Sequence, residues 1–299
     1  MITTHLKSFI GVIRLPFLLL TPVCILLGFE TARLTSAPIN GNHFALVMIG
    51  ALLAHISVNT LNEYFDFTSG LDLETRRTSF SGGSGTLPAQ PAFASATLAI
   101  AVLSLLGTAL IGLYFISVLG PAIFPIGVAG LLLVAFYTTA LTRHPILCLV
   151  APGLGFGPLM VVGTHLVLTG GYTDTAWAVS LVPFFLVNNL LLLNQYPDVE
   201  ADLAAGRRTL PIAVGRAGAN VVFTAFLLSA YASLFMAVDG GGLPRGGLLG
   251  LASVVVAVPT LVGAWRYRDD MKRLMPYLGL NVMTVLSTPL LIVIGLRFL

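Results

Sequence analysis

Two short stretches hold most of the side chains in this chain that could do chemistry. Asn62 to Asp72 reads N-E-Y-F-D-F-T-S-G-L-D and closes a long apolar run, and Asn194 to Asp202 reads N-Q-Y-P-D-V-E-A-D. Both open N-x-Y-x-D, and on a helix an Asn and an Asp four apart share a face. Of the 12 acidic residues, seven lie in or beside these stretches: Glu63, Asp66, Asp72, Glu74, Asp198, Glu200 and Asp202. Carboxylate and amide oxygens are the hard ligands that Mg²⁺ selects when it also binds substrate phosphates. Two facing clusters of them could hold two or more Mg²⁺ ions, bridge a diphosphate and neutralise it as a leaving group.

The expected metal set is Asp66, Asp72, Asp198, Asp202, Asn62 and Glu63, with Asn62 and Asn194 as ligands or orienting donors. Arginines stand close by. Arg76 and Arg77 follow the first stretch, Arg207 and Arg208 follow the second, and Arg143 lies in a short loop between apolar runs. Guanidinium groups grip phosphate oxygens bidentately. From this pool Arg208 and Arg143 are the first expected diphosphate contacts and Arg77 the third. A topological role is the rival use, and for Arg143 and Arg216 the two stand about even.

These residues need a scaffold, and the composition says which kind. The 299 residues are 57% hydrophobic and 9% charged, with a mean hydropathy of +0.95. Soluble domains carry about 25% charged residues, so this is a polytopic, all-α membrane protein. Apolar runs of about 20 residues span a bilayer. Nine are expected, at roughly 12–33, 43–63, 92–116, 120–141, 145–169, 174–196, 217–238, 246–265 and 276–297, in one domain covering 1–299 around a central cavity. With a cytoplasmic N-terminus the inner side takes Lys7, Arg14, Arg76, Arg77, Arg143, Arg207, Arg208, Arg216, Arg266, Arg268, Lys272 and Arg273, leaving Arg33, Arg245 and Arg297 outside. Twelve against three obeys the positive-inside rule and puts both acidic stretches on the cytoplasmic side. His55, Asn59, Asn62 and Asp66 fall within about 60° on a helical wheel, and such a stripe must face the bundle interior. The net charge of +3 and the lack of a basic tract argue against a nucleic-acid partner. Cys24 and Cys148 lie in apolar runs, which argues against a disulfide or zinc framework. The N-terminus lacks a small-residue cleavage pattern, so the first run is expected to be retained.

The paired motifs resemble those of the UbiA-type intramembrane prenyltransferases. The first signature, N-x-x-x-D with a further Asp, is matched by Asn62, Asp66 and Asp72. The second, D-x-x-x-D before a basic G-[RK]-x-T-L segment, is matched by Asp198, Asp202, Gly206, Arg207, Arg208, Thr209 and Leu210. The commoner first motif has N-D-x-x-D-x-x-x-D, whereas here Glu63 takes the second position and Gly70 the last. That spacing, with Gly157 to Thr164, looks like the menaquinone branch, the 1,4-dihydroxy-2-naphthoate prenyltransferases. The resemblance implies transfer of a polyprenyl group from its diphosphate to an aromatic ring carbon, with Mg²⁺ as cofactor, in a prokaryotic inner membrane. Hydroxybenzoate, homogentisate and glycerol phosphate lipids are alternative acceptors.

Weaker signals have two readings each. Ser81 to Gly85, S-G-G-S-G, is either a phosphate-wrapping loop or a flexible linker. Gly153 to Gly157, G-L-G-F-G, reads as close helix packing. Tyr64 and Tyr196 either line the cavity, where an aromatic face steadies a cation, or anchor the interface. His165 is expected to be a satisfied polar residue, with contact to the acceptor as its rival, and His144 an interfacial one. A cation transporter is the competing class, and it would want its acids near mid-membrane on broken helices.

Overall fold

The computed structural model describes residues 2–298 apart from 76 and 79, and leaves out the side chains of 2–4 and 74. Among the described residues there is no β-strand. A helix α1 (Ile2–Val12) precedes α2 (Leu15–Arg33), α3 (Gly41–Thr68), α4 (Pro91–Leu119), α5 (Pro121–Phe136), α6 (Pro145–Thr169), α7 (Asp174–Asn194), α8 (Leu210–Asp239), α9 (Arg245–Arg266) and α10 (Met271–Phe298). Eight of these are long and apolar enough to cross a bilayer. The remaining apolar run, expected at 120–141, forms the shorter α5. It starts where Gly120, at φ 78°, ends α4 and Pro121 sets a new N-terminus.

Boundaries follow local chemistry. The Asn40 side chain accepts from the backbone N–H groups of Asn42 and His43 and starts α3. Thr173 caps α7 in the same way through Ala176. Helix α3 runs to Thr68 rather than 63, so the first acidic motif is itself helical. The run expected from residue 12 is instead split at Arg14, whose φ of 52° breaks the chain before Pro16. Helix α8 begins at Leu210, ahead of the expected 217, but Gly215 at φ 73° interrupts it.

From α2 onward consecutive helices pack side by side, and α10 returns against α2, closing a ring around the interior. Buried asparagines tie one half of that ring. Asn188 of α7 accepts from the Gly153 N–H of α6 at 2.6 Å, and Asn189 donates to the Phe223 carbonyl of α8 at 2.8 Å. Asn220 of α8 reaches Ala264 of α9 at 2.8 Å, while Asn281 of α10 reaches the Asn189 carbonyl at 3.1 Å. Such bonds supply the helix–helix attraction that the hydrophobic effect does not provide in lipid. The G-L-G-F-G segment packs as its composition suggests. A Cβ at Gly153 would sit 2.2 Å from the Phe184 carbonyl, and one at Gly157 2.5 Å from that of Ser180. Residues Gly155–Val162 form a π-helical stretch within α6.

Candidate active site

The C-terminal half of α3 builds the first half of the site. His55, Asn59, Asn62 and Asp66, the polar stripe of that helix, all line one central cavity. Asn62 donates to Asp66 at 2.9 Å and accepts from Arg14 at 2.9 Å. Gly70, at φ 83°, then turns the chain into a short helix, Leu71–Glu74, that carries Asp72 to the cavity wall.

The second half is built differently. Its N-x-Y-x-D motif is not helical, because α7 ends at Asn194 and residues 195–198 form a turn. Pro197 accounts for this, since it disfavours helical geometry at the residue before it. Asp198 and Asp202 come from the turn and from the helix Val199–Ala204, and both line the cavity with Asn194. Arg207 bridges the halves. Its guanidinium pairs with Asp66 on one side and with Asp202, at 3.2 Å, on the other. Among the described residues no three acid, His or Cys side chains already converge on a common point.

Polar atoms on residues of the cavity wall lack partners. Asp72 Oδ2, Asn194 Oδ1, Gln195 Oε1 and Asp198 Oδ1 are buried without a hydrogen bond, and all four residues line the cavity. Burial, reinforced by Asp66 and Glu63, pushes the Asp72 carboxyl up to about 7. Burial and then Asp202 push Asp198 up to about 7 as well, against hydrogen bonds from Ser81 and Gly82. Four orphaned hard oxygens on two facing elements are the donor set a small divalent cation requires, so the residues present fit Mg²⁺.

Three expected site residues sit elsewhere. Glu63, expected as a metal ligand, is fully buried but turned from the cavity. It accepts from Arg14 Nε, Ser84 N and Ser84 Oγ, each at 2.7 Å. One residue past Asn62 it is rotated by about 100° and meets the 81–85 loop instead. That loop is therefore no free linker: Gly82 and Gly83 line the cavity, and a Cβ at Gly83 would fall 2.8 Å from both Asp72 carboxylate oxygens. Tyr196 is sealed beneath α8, its hydroxyl donating to Asn220 at 2.7 Å. Tyr64 packs edge-on against Phe65, and neither tyrosine lines the cavity. The aromatic hydroxyl that does is Tyr137, just past α5.

The arginines are also reordered. Arg143 and Arg208 are exposed and do not line the cavity, and Arg77 is exposed and donates to the Ser84 carbonyl at 2.9 Å. Arg76 lies outside the described residues. Among the described residues, Arg207 and Arg14 are the arginines in the cavity wall. Arg14 was readable only as a topology charge, since nothing in its neighbours announces the positive φ that aims it at α3. His165 is satisfied on both ring nitrogens by Thr31 and Thr173, at 3.0 and 3.1 Å, and His144 is exposed beside α6. Away from the acids the wall is apolar, with Leu20, Val58, Phe156, Leu190, Val282 and Leu286.

A sequence model described as the UbiA prenyltransferase family matches residues 19–279. The chain belongs to the UbiA prenyltransferase family. It is 27% identical over 195 residues to the 1,4-dihydroxy-2-naphthoate octaprenyltransferase of Bacillus subtilis strain 168, a match covering 63% of this chain and 60% of that relative's length. The fold is that of known family structures. A structure described as digeranylgeranylglyceryl phosphate synthase superposes with a TM-score of 0.69 at 13% identity, covering 98% of this chain and 99% of the other. A UbiA homologue from Archaeoglobus fulgidus, bound to DMAPP and Mg²⁺, superposes with a TM-score of 0.59 at 14% identity, covering 95% and 99%. Membership leaves the transporter reading without support, and the acids of this chain stand at helix ends rather than at mid-span.

Proposed function

We propose that this UbiA-family protein transfers a polyprenyl group from its diphosphate to 1,4-dihydroxy-2-naphthoate, with Mg²⁺ as cofactor. The observation that carries the transfer chemistry is the pairing of Asp66 and Asp72 with Asp198 and Asp202 at one end of an otherwise apolar cavity. A polar head and a long hydrocarbon tail divide between those two regions. The naphthoate assignment rests on the Asn62, Asp66, Gly70, Asp72 spacing and on the likeness to the Bacillus subtilis enzyme.

Asp66, Asp72, Asp198 and Asp202 would hold Mg²⁺, with the amide oxygens of Asn62 and Asn194 beside them. Bound there, Mg²⁺ would neutralise the diphosphate as a leaving group. Arg207 and Arg14 add positive charge at the same end of the cavity. As the C–O bond breaks, the electron pair leaves with the diphosphate and an allylic carbocation remains. Tyr137 offers its ring to that cation in place of Tyr64 and Tyr196. A ring carbon of the acceptor attacks, and the ring regains aromaticity by losing a proton or, for a naphthoate, its carboxylate. The apolar wall excludes water, which would otherwise trap the cation as an alcohol.

We further propose nine spans with a cytoplasmic N-terminus, α5 crossing as the short ninth, and an active site on the cytoplasmic face of a prokaryotic inner membrane. The twelve-to-three distribution of basic residues supports this orientation. The acceptor is tested by competition. Purified protein receives one prenyl diphosphate, Mg²⁺, dihydroxynaphthoate, hydroxybenzoate and a glycerol phosphate lipid together, and mass spectrometry reads the products. Prenylated naphthoate as main product is expected. Prenylated hydroxybenzoate or glycerol phosphate would refute the acceptor and leave the transfer chemistry standing.

A further inference from the structure

Arg207 stands where the metal and the substrate must both arrive. Its guanidinium pairs with Asp66, near the end of α3, and with Asp202, from the helix Val199–Ala204, and so fills the space between the two acid clusters. Asp72 Oδ2 and Asp198 Oδ1, on the same wall, have no partner at all. Two of the four acids are thus answered by a protein cation, and each of the other two keeps one oxygen without a hydrogen bond.

A divalent ion recruiting Asp66 and Asp202 cannot share them with a guanidinium, because Mg²⁺ demands closely placed oxygens and is repelled by a like charge. Arginine cannot make room by losing its proton. It can only move to another anion. The backbone beneath it is fixed: the Arg207 N–H donates to the Asp202 carbonyl at 2.9 Å, directly after Gly206 at φ 75°. The side chain, 17% exposed beside the cavity, is the part free to swing.

We propose that Arg207 is the resident counter-ion of Asp66 and Asp202, displaced from them by the incoming divalent cation and taken up by the diphosphate of the prenyl donor. The exchange makes metal and diphosphate bind cooperatively through one side chain. By reciprocity, each ligand then tightens the other by the same factor. This rests on the metal–diphosphate reading of the site given above.

The test measures binding rather than turnover. Detergent-solubilised protein is titrated with Mn²⁺, the free ion is read by electron paramagnetic resonance, and the titration is repeated with geranyl S-thiolodiphosphate, which reacts sluggishly. For the wild type, Mn²⁺ alone binds weakly and the thiolodiphosphate tightens it. Arg207→Gln removes a unit charge beside the ion, and should tighten Mn²⁺ alone by about tenfold while shrinking the enhancement. Arg207→Lys keeps the charge but loses the two-pronged grip, and should fall between the two; it serves as the reporter if the Gln variant does not fold. Variants that bind Mn²⁺ alone no more tightly than wild type, with full thiolodiphosphate enhancement, would overturn the exchange while the site reading survives. A wild type that fails to bind Mn²⁺ even with the thiolodiphosphate would overturn the site reading itself.

Discussion

Glu63→Gln separates two jobs that the first acidic motif could give this residue. As a metal ligand, Glu63 would contribute little to the fold, and its loss would raise the Mg²⁺ concentration needed for activity. In the structure its carboxylate is fully buried, pairs with Arg14 at 2.7 Å, and accepts both the N–H and the hydroxyl of Ser84. A glutamine keeps one acceptor oxygen for Arg14 and the Ser84 N–H, but removes the negative charge that answers the Arg14 guanidinium. Breaking a buried pair by removing one partner costs about 3–5 kcal/mol. Arg14 is 24% exposed and also bonds Asn62, so part of that cost is recovered and about 2–3 kcal/mol is expected. The assay is thermal inactivation in detergent, run beside the Mg²⁺ dependence of turnover. Lower thermal stability and a raised KM for prenyl diphosphate, with the Mg²⁺ dependence unchanged, are the expected result. A Gln variant of wild-type stability whose Mg²⁺ requirement rises tenfold would refute the reasoning and restore Glu63 to the metal set.

Asp66→Asn and Asp198→Asn should each cut turnover by about 100-fold or more, in keeping with the loss of a charged ligand, while the protein still elutes as a folded species; half the wild-type rate at saturating Mg²⁺ would remove that residue from the metal set. Asp72 and Asp198, both pushed up to about 7, must shed protons before they bind metal. Lowering the pH from 8 to 6 should therefore raise the apparent KM for Mg²⁺ by about tenfold for each carboxylate engaged. The metal-free protein should respond oppositely: a raised folded-state pKa adds stability that is lost as pH rises through about 7, so melting in EDTA should be higher at pH 6 than at pH 8. A flat Mg²⁺ dependence over that range would contradict a role for these two raised carboxyls in holding the metal. Gly83→Ala strains a residue at φ 69° and drives a Cβ toward both Asp72 oxygens, so activity should fall several-fold, and Mg²⁺ affinity with it. Normal Mg²⁺ affinity in that variant would detach the 81–85 loop from Asp72.

Eight of the nine expected spans, and the face shared by Asn62 and Asp66, were legible because each depends on composition or on spacing within one element. A run of twenty apolar residues has few other fates, and Asn62 and Asp66 share a face wherever α3 is helical, as it is through Thr68. The residues that were misplaced depend on something a spacing does not contain. Tyr196 follows Asn194 as Tyr64 follows Asn62, yet Pro197 ends the second helix and the ring turns under α8. Arg207, not Arg208, holds the fixed basic position of the G-[RK]-x-T-L pattern, and the turn after Val199–Ala204 brings that residue to the acids. Arg14 is the plainest instance. A non-glycine residue in the left-handed region costs about 1–2 kcal/mol, and no local pattern announces that the cost is met by bonds to Asn62 and Glu63, 48 and 49 positions away.

That arrangement also accounts for the departure at position 63. With Glu63 committed to Arg14 and Ser84, the first cluster keeps Asp66 and Asp72 for the cavity, and the third acid comes from beyond the Gly70 turn rather than from the helix. A glutamate has one more methylene than an aspartate, and that length is what spans the gap from α3 to the 81–85 loop. Glu63→Asp is therefore the sharper companion to Glu63→Gln, since it preserves the charge and removes only the reach. It should keep the Arg14 pair, lose the Ser84 bonds, and raise the KM for prenyl diphosphate more than it lowers kcat. A Glu63→Asp variant with wild-type KM would show that the length of this side chain, and with it the anchoring of the loop, does not bear on substrate binding.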